Sequence, residues 1–392
     1  MLEEIRSYKG KTLFLALLCI VANFSYYPMF VSNGIGRRIN TVLWILLGFV
    51  VIYDNRIAIG GRLLKLYCGL LFILILNTGI VAVATGENAF DNHFFQPVMN
   101  AFLIFFCANT LGYEIDKEKL KKICYVYMYS MLIISVLLFI FYLRGTDLNT
   151  KIYGYRYGKN EIAVLLLCGL IIACTVYEAN TSIKNTIRIF AMIFFVIDIL
   201  YLRCRSVMVG VVILVVSLVL NSKNIKTGFR LLITLIILAG VVFAVANPNK
   251  FDSFMNQFVY ACLNSNDMND LTSGRGDQIS AGFSVFTQNL LVGVGHYHKT
   301  LDCFYVSVLV NYGLMGWPLL LMAVIPLIWS IVNLKKSEPI DFCFFVISAS
   351  IFVVSVLEEL APFGPGTRCY LLWLMWGILA RRKRIEQLRS EG

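Results

Sequence analysis

Charged side chains are scarce in this sequence, because Asp, Glu, Lys and Arg together make up only 15% of the 392 residues. Soluble domains carry about a quarter charged residues, so a soluble enzyme or binding domain is excluded. Hydrophobic residues reach 59%, and they lie in blocks of about twenty, roughly the length of a helix that crosses a bilayer. No alternation of apolar and polar residues runs over many strands, which excludes a membrane barrel. The sequence therefore predicts an all-α, polytopic membrane protein.

Internal repeats, low-complexity tracts and a separate soluble domain are also missing, so one transmembrane domain over 1–392 is predicted. The net charge of +11 does not indicate nucleic-acid binding, since excess Lys and Arg in a membrane protein collects in cytoplasmic loops. The eleven cysteines lie mainly in apolar runs, where they fit packing better than a disulfide framework. Whether Cys262 and Cys303 are bridged stays open.

Twelve membrane spans are predicted from the apolar blocks. The tenth is long and interrupted at Gly313–Pro318, so a half-helix followed by a span is expected there. The longest polar stretch, 248–302, lies before this tenth span. The spans are predicted at roughly 12–31, 39–53, 63–84, 94–112, 123–143, 161–177, 187–202, 206–220, 230–247, 303–334, 340–357 and 367–380.

Lys and Arg predict the orientation of these spans, because they accumulate in cytoplasmic loops. Both termini are therefore expected in the cytoplasm, and the 248–302 loop on the outer side. Most of the 34 basic residues lie in one set of alternate loops, at 1–11, 54–65, 113–122, 178–188, 221–230, 334–336 and 381–392.

Several basic residues fall on the outer side, against this rule. Arg203 and Arg205 lie in the very short loop YLRCRS, and Arg156 and Lys159 lie before the sixth span. Arg near hydrocarbon is costly unless it is paired, so these residues snorkel, pair with outer acids, or bind an anion. Phosphate suits the last alternative, because the planar fork of Arg binds two oxygens at once. The same side carries Arg144, Arg275 and Arg368.

The stretch 271–316 contains the densest set of polar candidates. Ser-Gly-Arg275 is followed by an amphipathic segment and the turn Gly293-Val-Gly295. The cluster His296-Tyr297-His298-Lys299 comes next, then Asp302 and Tyr305 at the entry to an apolar helix, which continues to GLMG at 313–316. Together with RCRS at 203–206 and GKNEIA at 158–163, this order resembles the O-antigen polymerase and ligase superfamily, membrane glycosyltransferases that act on polyprenyl-diphosphate sugars.

Two positions make the resemblance closer to the polymerases than to the ligases. Asp302 stands where the ligases usually have His, and Cys303 stands where Asn is common, so a catalytic His is not carried over from the ligases. The resemblance implies a polymerase at the periplasmic face of the bacterial inner membrane, in lipopolysaccharide biosynthesis. It would move a growing glycan from undecaprenyl diphosphate to the terminal sugar of a lipid-linked repeat unit. A chain-length regulator and a flippase are the expected protein partners.

Three alternatives remain open at this point. A ligase of the same superfamily would transfer the glycan to a different acceptor. A transporter or lipid flippase would usually show inverted repeats and polar residues near the bilayer midplane, neither of which is seen here. An accessory protein would bind the lipid without chemistry.

The expected reaction assigns roles to the outer residues. A hydroxyl of the acceptor sugar displaces the lipid diphosphate, so preorganised cations have to neutralise charge on the leaving oxygen. The hydroxyl can also need a general base, for which His298, His296, Asp302 and the Glu358–Glu359 pair are candidates. The predicted catalytic residues are Arg203, Arg205, Arg275, His298 and Asp302. The predicted substrate-binding residues are Arg156, Lys159, Tyr155, His296, Tyr305, Glu358, Glu359 and Arg368.

Each of these roles has a plainer alternative. His296 and His298 can be solvated loop residues, the Glu358–Glu359 pair can balance outer charge, and Tyr155 can anchor the membrane interface instead of stacking on a sugar. No metal or other cofactor is expected, because the outer side offers no Asp-x-Asp motif for a hard cation and no ligand spacing for zinc.

Overall fold

The computed structural model describes most of the chain as helix. The described residues are 8–27, 35–54, 61–90, 94–144, 151–152, 155–156, 159–202, 204–221, 275–297, 301–335, 337–358, 362–363 and 369–391. The helices are α1 Tyr8–Phe24, α2 Ile35–Asp54, α3 Arg62–Thr85, α4 Phe95–Leu111, α5 Lys117–Leu143, α6 Lys159–Thr175, α7 Ser182–Leu202, α8 Arg205–Leu220, α9 Arg275–Gln288, α10 Phe304–Tyr312, α11 Trp317–Val332, α12 Pro339–Leu357 and α13 Tyr370–Glu391.

One small element departs from the all-α prediction. Strands β1 (Lys151–Ile152) and β2 (Tyr155–Arg156) form an antiparallel ladder two residues long. A 3₁₀ turn at Gly313–Gly316 separates α10 from α11, where the sequence predicts an interrupted helix. Most of the predicted 248–302 loop lies outside the described residues, although α9 falls within it. The single-domain organisation stays a prediction.

Apolar helices with lipid-facing surfaces identify an α-helical membrane protein. Within the described residues, five segments are long and apolar enough to cross a bilayer, namely α3, Lys117–Phe141 of α5, α7, Phe304–Val332 and α12. The same part of the chain contains five shorter apolar helices of 10–17 residues. Large apolar side chains point outwards from these helices, including Val83, Val332 and Phe72, which are 87%, 77% and 61% exposed. An exposed apolar surface of this kind is stable against lipid, not against water.

Helix α13 is central because its first half is apolar on every side. Residues 370–380 are all buried, which is typical of a helix surrounded by other helices. It packs closely on α4, where a Cβ added at Gly377 would lie 2.6 Å from the Cβ of Ala108. The Trp376 ring stacks on Phe105 at 4.4 Å between centroids. At the start of the helix, the Tyr370 hydroxyl donates to Oδ1 of Asn23 in α1 at 2.9 Å.

A proline inside α11 is compensated from a neighbouring helix. Pro326 has no N–H, so the carbonyl of Met322 loses its helical donor. The buried Tyr67 hydroxyl of α3 donates to that carbonyl. Unsatisfied backbone groups are costly in a bilayer, and this contact therefore permits the proline and fixes α3 against α11.

Polar groups mark two ends of the helical body. Ion pairs collect at the start of α5, where Lys117 Nζ lies 3.0 Å from Oδ2 of Asp341, and Lys11 Nζ lies 2.9 Å from Oε1 of Glu114. Glu358, directly after α12, lies at the other end. At 1.5 Å per residue, Asp341 and Glu358 are about 26 Å apart along α12. That separation is close to the hydrocarbon thickness of a bilayer, about 30 Å.

Candidate functional site

Three chain segments meet at Glu358. Its Oε1 accepts a hydrogen bond of 2.8 Å from Nδ2 of Asn160 and another of 3.1 Å from Oγ of Ser206. The Cys204 sulfur lies 3.2 Å from the same serine oxygen. Glu358 is buried, with 9% of its surface exposed. The GKNE motif, the RCRS motif and the end of α12 are therefore joined by one carboxylate.

The helices that carry these residues are packed tightly together. Gly210 of α8 allows this approach, because an added Cβ would overlap Leu167 of α6 and contact Ser350 of α12. The Ser350 hydroxyl also donates to the carbonyl of Gly210 at 3.4 Å. A small residue at such a crossing lets membrane helices come close. The Glu358 cluster is thus held by a rigid three-helix contact.

Two helix N-termini face the Glu358 end of the body. Helix α6 begins at Lys159 and α8 begins at Arg205. The first N–H groups of a helix have no intrahelical acceptor and carry partial positive charge, which attracts anions. The first turn of α8 therefore adds to the positive character of this end, whereas Glu161 in the first turn of α6 opposes it.

The two glycine motifs of the 271–316 stretch are docked on each other. The N–H groups of Val294 and Gly295 donate to the carbonyls of Val310 and Asn311, both at 2.9 Å. Gly293 has φ +66°, and a Cβ there would lie 2.6 Å from the Asn311 carbonyl. Gly313 has φ +57° and approaches the backbone of Gly293 equally closely. These glycines are required by close backbone contact.

Asn311 stabilises the same junction from inside α10. It is fully buried, its Oδ1 accepts the N–H of Tyr297 at 2.8 Å, and its Nδ2 donates to the Ser307 carbonyl at 2.8 Å. His296, next to Tyr297, is half-buried. The junction therefore fixes the backbone that leads into the predicted histidine cluster.

Asp302 and Tyr305 lie at the entry to α10. The N–H of the half-buried Asp302 donates to Oε1 of Gln278 in α9 at 3.2 Å, which ties this entry to the helix that begins at Arg275. The Tyr305 hydroxyl donates to the carbonyl of Phe352 in α12 at 3.4 Å. Phe352 precedes Glu358 by six residues, or about 9 Å along the helix. Tyr305 therefore links this entry to the helix that ends at the carboxylate cluster.

Several predicted site residues lie outside the described part of the chain. These are Arg203, His298, Glu359 and Arg368. For a second group only the backbone is described. Arg205 begins α8, Arg275 begins α9, Lys159 begins α6, and Tyr155 with Arg156 forms β2. Their predicted roles stay predictions.

Sequence reasoning assigned no role to three residues of interest. Asn160 and Ser206 were recognised only as parts of motifs, although both contact Glu358. Asp198 of α7 is fully buried, the Ser135 hydroxyl donates to its Oδ2, and its Oδ1 has no hydrogen-bond partner among the residues that the structure describes. The sequence feature that could have identified Asp198 is an isolated acid in the apolar run IFFVIDIL. An acid within a membrane is costly and usually has a functional or structural role.

Cys303 is buried and has no disulfide partner among the residues that the structure describes. Burial raises the pKa of this thiol, although hydrogen bonds from the backbone at Val306 and Tyr305 partly oppose the shift. Its suggested partner, Cys262, lies outside the described residues. Among the residues that the structure describes, no group of three or more His, Cys, Asp or Glu side chains could hold a metal ion. Metal independence stays a prediction.

No protein-family model and no curated protein matches this chain. The resemblance to membrane glycosyltransferases therefore depends on the order of its motifs, two of which meet at Glu358.

Proposed function

We propose that this chain is a polysaccharide polymerase that uses polyprenyl-diphosphate-linked glycans as donors. The supporting observation is that the GKNE and RCRS motifs, far apart in sequence, are joined by the Glu358 carboxylate. In this proposal the Glu358 end faces the periplasm, both termini are cytoplasmic, and the chain crosses the bacterial inner membrane twelve times. The substrates are undecaprenyl-diphosphate-linked repeat units of a surface polysaccharide such as O-antigen.

The reaction is a substitution at the anomeric carbon of the growing glycan. A hydroxyl oxygen of the incoming sugar forms the new C–O bond, the bond to the diphosphate oxygen breaks, and undecaprenyl diphosphate leaves with the electron pair. The hydroxyl proton passes to a base, for which Asp302 and His298 are our candidates. Cationic groups lower the barrier because negative charge grows on the leaving oxygen. Arg203, Arg205 and Arg275 supply that charge, assisted by Arg156, Lys159 and Arg368.

Glu358 acts in this mechanism as a positioning residue. It is buried and already accepts two hydrogen bonds, so it orients the starts of α6 and α8 toward a common point. Those starts carry Lys159 and Arg205, and the partial positive charge of a helix N-terminus favours an anion. The remaining predicted residues contact the sugars, namely Tyr155, His296, Tyr305 and Glu359. No metal ion is needed for the charge neutralisation that arginines perform. A chain-length regulator and a flippase of the same pathway are the expected protein partners.

The proposal is tested on surface polysaccharide from a strain that lacks this protein. The strain is complemented with wild type, with Arg205→Ala or Arg275→Ala, or with Arg62→Ala, an exposed arginine at the opposite end of the body. If the protein is a polymerase, the null strain makes only single-repeat glycan. Wild type and Arg62→Ala then restore the ladder, whereas Arg205→Ala and Arg275→Ala do not. Loss of all attached glycan with accumulation of lipid-linked polymer would identify a ligase instead. A ladder unchanged by the deletion would refute both enzymes.

A further inference from the structure

A second polar site lies at the end of α12 that is opposite Glu358. A small cavity that is partly open to solvent lies between the end of α11, the first turn of α12, the start of α5 and the polar half of α13. Its lining includes Trp329, Asn333, Arg382 and Lys383. Because the cavity is small and opens to solvent, it can take at most a small polar group of a ligand, with the remainder of that ligand lying outside.

The charge of this cavity is not balanced by its own acids. Lys117 lies 3.0 Å from Asp341 and 3.6 Å from Glu338, and Lys335 lies 4.0 Å from Glu386. Arg382 and Lys383 have no acidic partner among the residues that the structure describes. Two positive charges therefore remain available to an anion.

Arg382 also has an unmet hydrogen-bonding requirement. Its Nε is buried and has no acceptor among the described residues. A buried N–H without a partner is costly, and more so on a charged group. An oxygen ligand in the cavity would satisfy it, and a phosphate oxygen fits the geometry of a guanidinium best.

The neighbouring surface of α11 indicates where the rest of such a ligand would lie. Ile328, Ile331 and Val332 are 52%, 55% and 77% exposed, and they flank Trp329 at the edge of the cavity. These side chains form an outward apolar strip that ends at the cavity mouth. Tryptophan is enriched at the level of lipid headgroups for the same combination of an apolar ring and a polar edge. A hydrocarbon chain on this strip would bring its headgroup to Arg382.

We propose that this cavity binds the phosphodiester headgroup of an anionic phospholipid, with Arg382 and Lys383 as phosphate ligands and the acyl chains along α11. Basic pockets between membrane helices are a recurrent way to bind such headgroups. The inference is independent of the glycosyltransferase proposal, since the two sites lie at opposite ends of α12.

Native mass spectrometry of the purified full-length chain in detergent micelles tests this inference. The protein is titrated with dioleoylphosphatidylglycerol, with dioleoylphosphatidylcholine, and with glycerol phosphate, which has the headgroup phosphate but no tails. The variants are Arg382→Gln/Lys383→Gln and the control Arg62→Gln/Lys65→Gln, which removes the same charges from exposed positions on α3. The two single substitutions in the cavity serve if the double variant does not fold.

Wild type and control are expected to bind phosphatidylglycerol more tightly than phosphatidylcholine. Loss of one charge-assisted contact should weaken that binding about tenfold, and loss of both should remove the preference for the anionic lipid. Equal binding of the two lipids by wild type, or an unchanged preference in the double variant, would overturn the inference. Glycerol phosphate binding as tightly as phosphatidylglycerol would overturn the assignment to a lipid.

Discussion

Replacing Glu358 by alanine should destabilise the fold more than replacing any exposed acid by alanine. The substitution leaves Nδ2 of Asn160 and Oγ of Ser206 without their acceptor in a buried site. A buried donor left without its acceptor costs about 1–3 kcal/mol, so the loss of both contacts should cost about 2–6 kcal/mol. We expect a loss of this size in the free energy of unfolding, measured by SDS titration in mixed micelles.

The control is Glu178→Ala, which removes a half-exposed carboxylate that pairs with Lys121 at the other end of the body. Exposed ion pairs contribute about 0–1 kcal/mol, so this variant should unfold close to wild type. Ser206→Ala should cost less than Glu358→Ala, and the double variant should cost no more than Glu358→Ala alone, because both changes remove the same contact. A Glu358→Ala loss below about 1 kcal/mol, the range of an exposed pair, would refute the reasoning, as would additive losses.

Three further predictions concern other parts of the structure. Tyr67→Phe should lower the free energy of unfolding by about 0.5–2 kcal/mol in an otherwise wild-type chain. The loss should be clearly smaller in a Pro326→Ala background, because the carbonyl of Met322 regains a helical donor there. Equal losses in both backgrounds would contradict the compensation. Gly293→Ala should cost about 1–3 kcal/mol because of its positive φ and its close approach to Asn311, whereas Gly79→Ala, in open space within α3, should be neutral or stabilising. In a variant without other cysteines, the thiol of Cys303 should react with iodoacetamide more slowly in the folded than in the unfolded protein. The reason is that burial raises the pKa of this thiol and lowers its thiolate fraction. Equal reaction rates of folded and unfolded protein across pH would argue against burial of this thiol.

Much of the helical architecture could be predicted from local sequence patterns. Long apolar blocks predicted the helices, and the glycine and proline residues at 313–318 predicted the break between α10 and α11, because backbone conformation there depends on residues next to one another. The antiparallel ladder at 151–156 was not predicted, since two-residue strands have no periodicity to detect.

The candidate site was only partly predictable, because its decisive contacts join distant segments. RCRS and GKNE could be recognised as motifs, but no local property of Ser206 or Asn160 indicates that Glu358 is their shared acceptor. The same limit applies to Tyr67, because its contribution to stability depends on a proline in another helix. Sequence patterns identify the polar residues, whereas packing decides which of them meet.

The central position of α13 has a consequence for how the protein is made. This helix is synthesised after the other described helices, yet its apolar half fills the middle of the body and its Tyr370 bonds to Asn23 of α1. The side of α4 that carries Ala108 and Phe105 therefore lacks its final packing partner until α13 has been made. A chain that stops before α13 should therefore pack its earlier helices less stably, even though most of the described helices are present.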